Sequence, residues 1–387
     1  MFDKKLINKF STLKTPFYYY DLELLKKTIE VLNKEASKYK FIIHYAVKAN
    51  SNKRILEIIR KNKMGVDCVS GNEILRSIDT EFRAEDIVFA GVGKTDEEIN
   101  IAIKSNIFCI NCESMQELEV INQLAKSAEK IINIALRINP NVNAKTHHYI
   151  TTGLEENKFG INTWQLDEIL NKLKKLNNLK LTGLHFHIGS QITDLEIFRG
   201  LCIRVNEMQH WFSDHNIELK HINVGGGLGV DYMEPQKYSV PDFKSYFEIF
   251  HSFLEIHSNQ KVHFEIGRAI VAQCGSLISK VIFVKKGFKT NFAILDAGMT
   301  ELIRPALYQS YHKIENLTSE GLPERYDVVG PICESSDTFG KSVILPKTKR
   351  GDIIAIRSTG AYGEVMSSGY NLRSPVRHYY SDDLIFK

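Results

Sequence analysis

No stretch of the 387-residue sequence approaches the ~20 consecutive apolar residues of a membrane-spanning helix. The opening segment, MFDKKLINKFSTLKTPFYYY, has no apolar core between its charges that could act as a secretory leader. Neither a membrane span nor export is expected, and the expected location is the cytoplasm. Cysteine is scarce: Cys68, Cys109, Cys112, Cys202, Cys274 and Cys333 are irregularly spaced, which argues against a disulfide framework. Cys109 and Cys112 have CxxC spacing, but there is no second pair and no redox context, so a coincidence at a strand end is the better reading than zinc or redox chemistry. Charge of one sign is also missing. Lys and Arg number 50 against 46 Asp and Glu, a formal net charge of +4 without a basic tract, so nucleic acid is not an expected partner. No internal repeat or low-complexity linker interrupts the chain. What remains is 43% hydrophobic and 25% charged, the composition of a soluble globular protein long enough for a large barrel or two packed domains.

Short β-branched or aromatic runs closed by Gly, Asn or polar residues occur eight times: FIIHYAV, GVDCV, DIVFA, IFCI, INIALRI, LTGLHF, HINV and KVHFE. Helical spacing fills most of the intervals, as in NKRILEIIRKN, NEILRSI, DEEINIAIKS, SMQELEVINQLAKSA and TWQLDEILNKLKKL. Eight βα units point to a closed (β/α)8 TIM-type barrel rather than an open sheet. After about residue 270 strands follow without alternating helices (SLISKVIFVKKG, NFAILDAG, RYDVVGP, DIIAIRSTGAYG), so an appended β domain is expected, with the early strand PFYYYD joining it. The expected division is 22–270 for the barrel and 271–387 with 1–21 for the β domain, packed closely together.

The unusual polar residues fall at the C-terminal ends of the candidate strands: Lys48, Asp67, Arg137, His185 with His187, the GGGLG run at 225–229, and EIGR at 265–268. In a barrel that face carries the chemistry. Lys48, enclosed by apolar neighbours, would lose its proton more readily than a lysine in water, and a neutral amine can form a Schiff base with an aldehyde. GGGLG offers backbone N–H groups unobstructed by side chains, a cradle for phosphate; a flexible turn before a helix is an equal reading of that motif by itself. Glu265, Gly267 and Arg268 are expected to emerge together into the mouth, where an unpaired carboxylate would be costly. Pyridoxal phosphate would satisfy all of these groups at once. His185 and His187, two apart, also fit a rival reading as a metal-dependent barrel hydrolase, which needs further ligands at other strand ends. Lysine, arginine and glycine stand there instead, so no metal is expected and a flat histidine stacked on a cofactor ring fits better.

From end to end the chain resembles the fold-type III pyridoxal-phosphate decarboxylases, alanine racemase-like in architecture, with a β-sandwich or β-barrel second domain. The resemblance is carried by TPFYYYD, YAVKAN, GVDCVSGNE, RINPNVNAKTHHYITTGLEENKFGI, GLHFHIGSQI, NVGGGLG, EIGR, DAGMTELIRPALYQSYH, GPICESSDTFG and GAYGEVMSSGYN, in the family's order. It implies that Lys48 carries the cofactor, His187 stacks on its ring, and Glu265 faces its pyridine nitrogen. Ser190, Gly226, Gly227, the backbone of Ile266, Gly267 and Arg268, and Tyr370 would hold the phosphate, with Asp67 and Arg137 lining the pocket. Arg268, Arg304, Tyr308, Glu334 and Tyr370 would contact substrate, and Cys333 would donate the proton. The family's dimers put CES into the partner's site, so a head-to-tail homodimer with shared active sites is implied. One departure is visible: Ile266 stands where the family usually has proline.

The blocks look most like the branch that converts meso-2,6-diaminopimelate to L-lysine. A substrate with a second amino-acid head needs a cation for its carboxylate and an anion for its ammonium, and Arg304 with Tyr308 and Glu334 would supply them. A structural ion pair in the β domain is the alternative for Arg304, and a buried apolar thiol for Cys333. A related decarboxylase acting on D-lysine, D-ornithine or another diamino acid, and a catalytically silent regulatory homologue, are the remaining alternatives.

Overall fold

The computed structural model describes residues 2–142 and 158–384. Positions 143–157 of the RINPNVNAKTHHYITTGLEENKFGI block lie outside the described residues. The chain divides into two compact units: Ile29–Gly229 with Asp242–Gly267, and Met1–Thr28 with Val230–Pro241 and Arg268–Lys387. The sequence-based division had no counterpart for Val230–Pro241, an excursion from the barrel that is grouped with the β unit.

The first strand, β1 (Phe17–Tyr20), belongs to the β unit. The next eight close a parallel barrel: β2 (Ile42–Ala46), β3 (Gly65–Cys68), β4 (Ile87–Phe89), β5 (Cys109–Cys112), β6 (Ile132–Arg137), β7 (Leu179–His185), β8 (His221–Asn223) and β9 (Lys261–Ile266). β9 returns to β2 in parallel register, His44 opposite Glu265 and Tyr45 opposite Ile266. All eight expected strands are present. Several of the helices that follow start on a capping side chain: Ser70 accepts the Glu73 N–H, Ser114 the Glu117 N–H, and Thr95 forms a reciprocal capping box with Glu98. The eight strands pair in parallel all round the barrel, so all strand C-termini open on one mouth. The Cys109 and Cys112 pair lies within β5, three residues apart and therefore on opposite faces. All six cysteines are free, and only Cys333 is exposed.

In the β unit the sheet order is β12 (Ile314–Asn316), β15 (Ile353–Ile356), β10 (Gly275–Lys286), β11 (Asn291–Leu295), β13 (Pro323–Val329) and β14 (Thr338–Pro346). PFYYYD joins it: β1 runs antiparallel to β10 and parallel to β16 (Arg377–Tyr380). Phe10, from the helix Lys4–Thr12, packs edge-on to Phe17 and Tyr19 in a core completed by Ile278, Ile353, Ala355 and Leu384. A fully buried side chain such as Phe10 or Phe17 contributes on the order of 2 kcal/mol, which anchors the N-terminal segment here. No helix among the described residues is long and apolar enough to cross a membrane.

Candidate active site

Strand β2 stops at Ala46, and Val47–Ala49 make a single tight turn that presents Lys48 at the mouth. The amine does not face an apolar enclosure. Its Nζ lies 2.6 Å from Oδ2 of Asp67, which projects from β3 and is wholly buried. This corrects the sequence argument: a neighbouring carboxylate favours the charged ammonium rather than a neutral amine. Burial, reinforced by the charge of Glu265, pushes the Asp67 carboxyl up against the pull of Lys48, so Asp67 is suited to take back a proton that Lys48 gives up.

Glu265, near the end of β9, is not exposed and unpaired. Its Oε2 lies 3.0 Å from Nε2 of His185 on β7, and its Oε1 accepts from Asn223 Nδ2 at 2.8 Å and Asn111 Nδ2 at 3.3 Å. Burial alone would raise this carboxyl, but the charge and hydrogen bond of His185, followed by Lys48, more than offset it and hold Glu265 below the ordinary carboxylate range. The carboxylate is tied to β5, β7 and β8, while Arg268 Nη1 donates to the Tyr232 hydroxyl at 2.7 Å. Strand β9 ends at Ile266, and Arg268 opens the helical turn Arg268–Val271.

His187 lies just past β7 and has a different partner from His185: its Nδ1 accepts the Gly226 N–H at 3.3 Å, which places the ring proton on Nε2. Burial, then the charges of Arg137 and Lys48, lowers its pKa to about 3, leaving a neutral, flat ring. Among the described residues no group of three His, Cys, Asp or Glu side chains could hold a metal ion. Arg137 ends β6 and pairs with Glu113 at 2.8 Å, and Glu113 also accepts the N–H groups of Gly91 and Gly160, which fixes the arginine in place.

The glycine run is a site of close approach. A Cβ on Gly226 would overlap the Glu265 carbonyl oxygen, and Gly227 has φ +102° with the Gly189 carbonyl 2.7 Å from where its Cβ would lie. Ser190 follows that carbonyl directly. Ile266 is 1% exposed and continues β9 opposite Tyr45, a position suited to a β-branched residue with an N–H.

Within the β unit the expected substrate residues form two groups. Arg304 opens the short helix Arg304–Tyr308, 4% exposed, with Nη1 donating to Tyr232 at 2.8 Å. Cys333 and Glu334 are exposed in the single chain; Tyr370 donates to Glu334 at 2.9 Å, and the Cys333 N–H donates to Asn371. Sequence reasoning missed Asn111, Asn223, Glu113 and Tyr232. Its one usable signal was an amide inside an apolar strand, in FCINCES and HINV, since asparagine is disfavoured there unless its side chain is bonded.

The barrel site suits pyridoxal phosphate on its own geometry: it joins a reactive amine, a glycine cradle without room for side chains, and a carboxylate kept ionised. Asp67 Oδ1 and His185 Nδ1 are buried there without a hydrogen-bond partner, places a bound polar group would answer. A barrel so equipped defines the class. Residues 22–272 match the family described as pyridoxal-dependent decarboxylase, pyridoxal binding domain, and the chain belongs to it.

Among its relatives it is 58% identical, over 98% of both chains, to the diaminopimelate decarboxylase of Bacteroides thetaiotaomicron. The diaminopimelate decarboxylase of Helicobacter pylori, solved in complex with L-lysine, superposes with a TM-score of 0.91 at 40% identity, covering 97% of this chain and 94% of that one. That of M. jannaschii, also with L-lysine, gives 0.89 at 34% identity, covering 97% and 89%.

Proposed function

We propose that this chain converts meso-2,6-diaminopimelate to L-lysine and CO2 with pyridoxal phosphate, and that the single observation carrying this reading is the ionised, threefold-bonded Glu265 beside the Lys48–Asp67 pair. When bound, the cofactor supplies the electron sink that takes up the bonding pair left as CO2 departs. Lys48 Nζ would hold it, with Asp67 Oδ2 taking the amine's proton. His187 would lie against its ring, and Ser190, Gly226, Gly227, the backbone of Ile266, Gly267 and Arg268, and Tyr370 would hold its phosphate. Glu265 keeps a negative charge where a protonated nitrogen needs one, and Arg137, fixed by Glu113, adds a positive edge to the pocket.

The β unit would contribute the substrate and dimer contacts. Arg304 with Arg268 and Tyr308 receives the carboxylate that the product retains, and Glu334 receives the distal ammonium. Cys333 Sγ gives its proton to the carbon that lost CO2, with Lys48 Nζ the alternative donor. The exposure of Cys333 and Glu334 in one chain supports a head-to-tail homodimer in which they serve the partner's site. The reaction takes place in the cytoplasm. The test is CO2 release from cofactor-loaded protein given meso-diaminopimelate, L-lysine, D-lysine or ornithine separately. Release from meso-diaminopimelate alone supports the reading; release from another of these instead overturns the substrate assignment.

A further inference from the structure

Arg304 is held in place by neutral groups. Besides donating to Tyr232, its Nη1 lies 3.4 Å from His312 Nε2, and that ring is fixed by its Nδ1 at 2.8 Å from the Arg357 carbonyl. Burial, and then the charge of Arg304, pushes the His312 pKa down to about 3, so the imidazole offers a lone pair rather than a second positive charge. Among the described residues Arg304 has no carboxylate partner, and its Nε is buried without an acceptor. Neutral acceptors orient a guanidinium without cancelling its charge, and a buried cation left that way calls for an anion.

Tyr232 joins this guanidinium to a second one, because its hydroxyl accepts from Arg268 Nη1 at 2.7 Å and from Arg304 Nη1 at 2.8 Å. A phenolic hydroxyl has one proton to give, and with its oxygen accepting two N–H groups that proton is all it has left to offer. Among the described residues it has no acceptor. Burial works to raise the phenol's pKa, yet Arg268 and Arg304 together outweigh it and lower it, which strengthens the donor.

We propose that Tyr232 is a carboxylate-recognition residue: it ties Arg268 and Arg304 into one clamp and donates its hydroxyl proton to the carboxylate that L-lysine retains. The inference rests on the reading of these arginines as substrate groups. Tyr232→Phe keeps the ring and removes only the hydroxyl. In the cofactor-loaded enzyme, KM for meso-diaminopimelate and the inhibition constant of L-lysine are expected to rise about tenfold to a hundredfold, as for a lost hydrogen bond to a charged group. Turnover at saturation and inhibition by 1,5-diaminopentane, which has both amines and no carboxylate, should stay near wild type.

An unchanged lysine inhibition constant in Tyr232→Phe, beside a large loss in Arg304→Met, overturns the role of Tyr232 alone. No loss in either variant overturns the reading of the arginines and the proposal with it. Equal weakening of lysine and diaminopentane points to a merely structural tyrosine and also overturns it. Should the phenylalanine variant not fold, 3-fluorotyrosine at position 232 keeps the shape with a more acidic phenol. On the proposal KM rises once the phenol loses its proton, and that rise should come at lower pH with 3-fluorotyrosine than with tyrosine; an unmoved rise refutes it.

Discussion

Replacing Glu265 by glutamine tests the centre of the site. The carboxylate accepts from three side chains, His185 Nε2 at 3.0 Å, Asn223 Nδ2 at 2.8 Å and Asn111 Nδ2 at 3.3 Å. A glutamine has one accepting oxygen. If that oxygen keeps the two asparagines, the amide NH2 faces His185, which must move its proton to Nδ1, an atom with no partner of its own. One charge-assisted bond and the negative charge are lost, a change worth about 1.5–3 kcal/mol, or roughly 10- to 150-fold in rate if it is felt fully in the transition state. The assay is CO2 release at saturating substrate, with cofactor occupancy matched by absorbance. Asn223→Ala provides the intermediate case: it removes one donor and keeps the charge, for about 1 kcal/mol and a roughly fivefold loss. The folded pKa of Glu265 is depressed, so its contribution to stability is present above the ordinary carboxylate range and is lost as pH falls through the folded value. The stability deficit of Glu265→Gln should therefore shrink in acid. Turnover within threefold of wild type at equal occupancy, or a deficit that grows in acid, would refute the reasoning.

Lys48→Ala should abolish turnover while the protein stays folded, and retained activity with bound cofactor would sink the assignment of Lys48. Gly226→Ala drives a methyl into the Glu265 carbonyl and should cost about 1–3 kcal/mol together with cofactor retention, read by thermal denaturation and by absorbance after dialysis. Cys333→Ala, at an exposed position, should slow turnover with little change in stability or cofactor content; loss of cofactor would point to a packing role. Burial pushes Glu73 up to about 7 against the hydrogen bond it accepts from the Val69 N–H. Its contribution is present below the ordinary carboxylate value and lost as pH rises through 7. Glu73→Gln should accordingly be more stable than wild type above pH 7, by up to about 3 kcal/mol, and lose that advantage near pH 4; a constant difference across this range would refute the shift.

The sequence by itself determined the strands, their direction and the face that carries chemistry. They follow from local patterns: apolar runs of strand length alternating with helical spacing, closed by Gly, Asn or polar residues. Lys48, Asp67, Arg137, His185 and Glu265 could be assigned to one mouth because strand ends in a parallel barrel all open the same way. Which of them would touch was not legible. Asn111 and Asn223 lie 154 and 42 residues from Glu265; Asn223 meets it because β8 pairs with β9, and Asn111 on β5 because the barrel closes. The sequence argument gave Lys48 apolar neighbours, but the partner is a carboxylate from the next strand, set by the register of His44 on Gly65 and Ala46 on Asp67. Likewise, Glu265 and Arg268 are three apart yet have separate partners, because the chain changes from strand to helical turn between them. Tyr232 had no signal at all: it lies in an excursion with no strand or helix pattern, and its meaning comes from the two guanidiniums that tertiary structure brings to its oxygen. Local sequence sets backbone form through short-range sterics and hydrogen bonds, whereas the partners of a buried charge depend on closure and register, which only the folded chain provides.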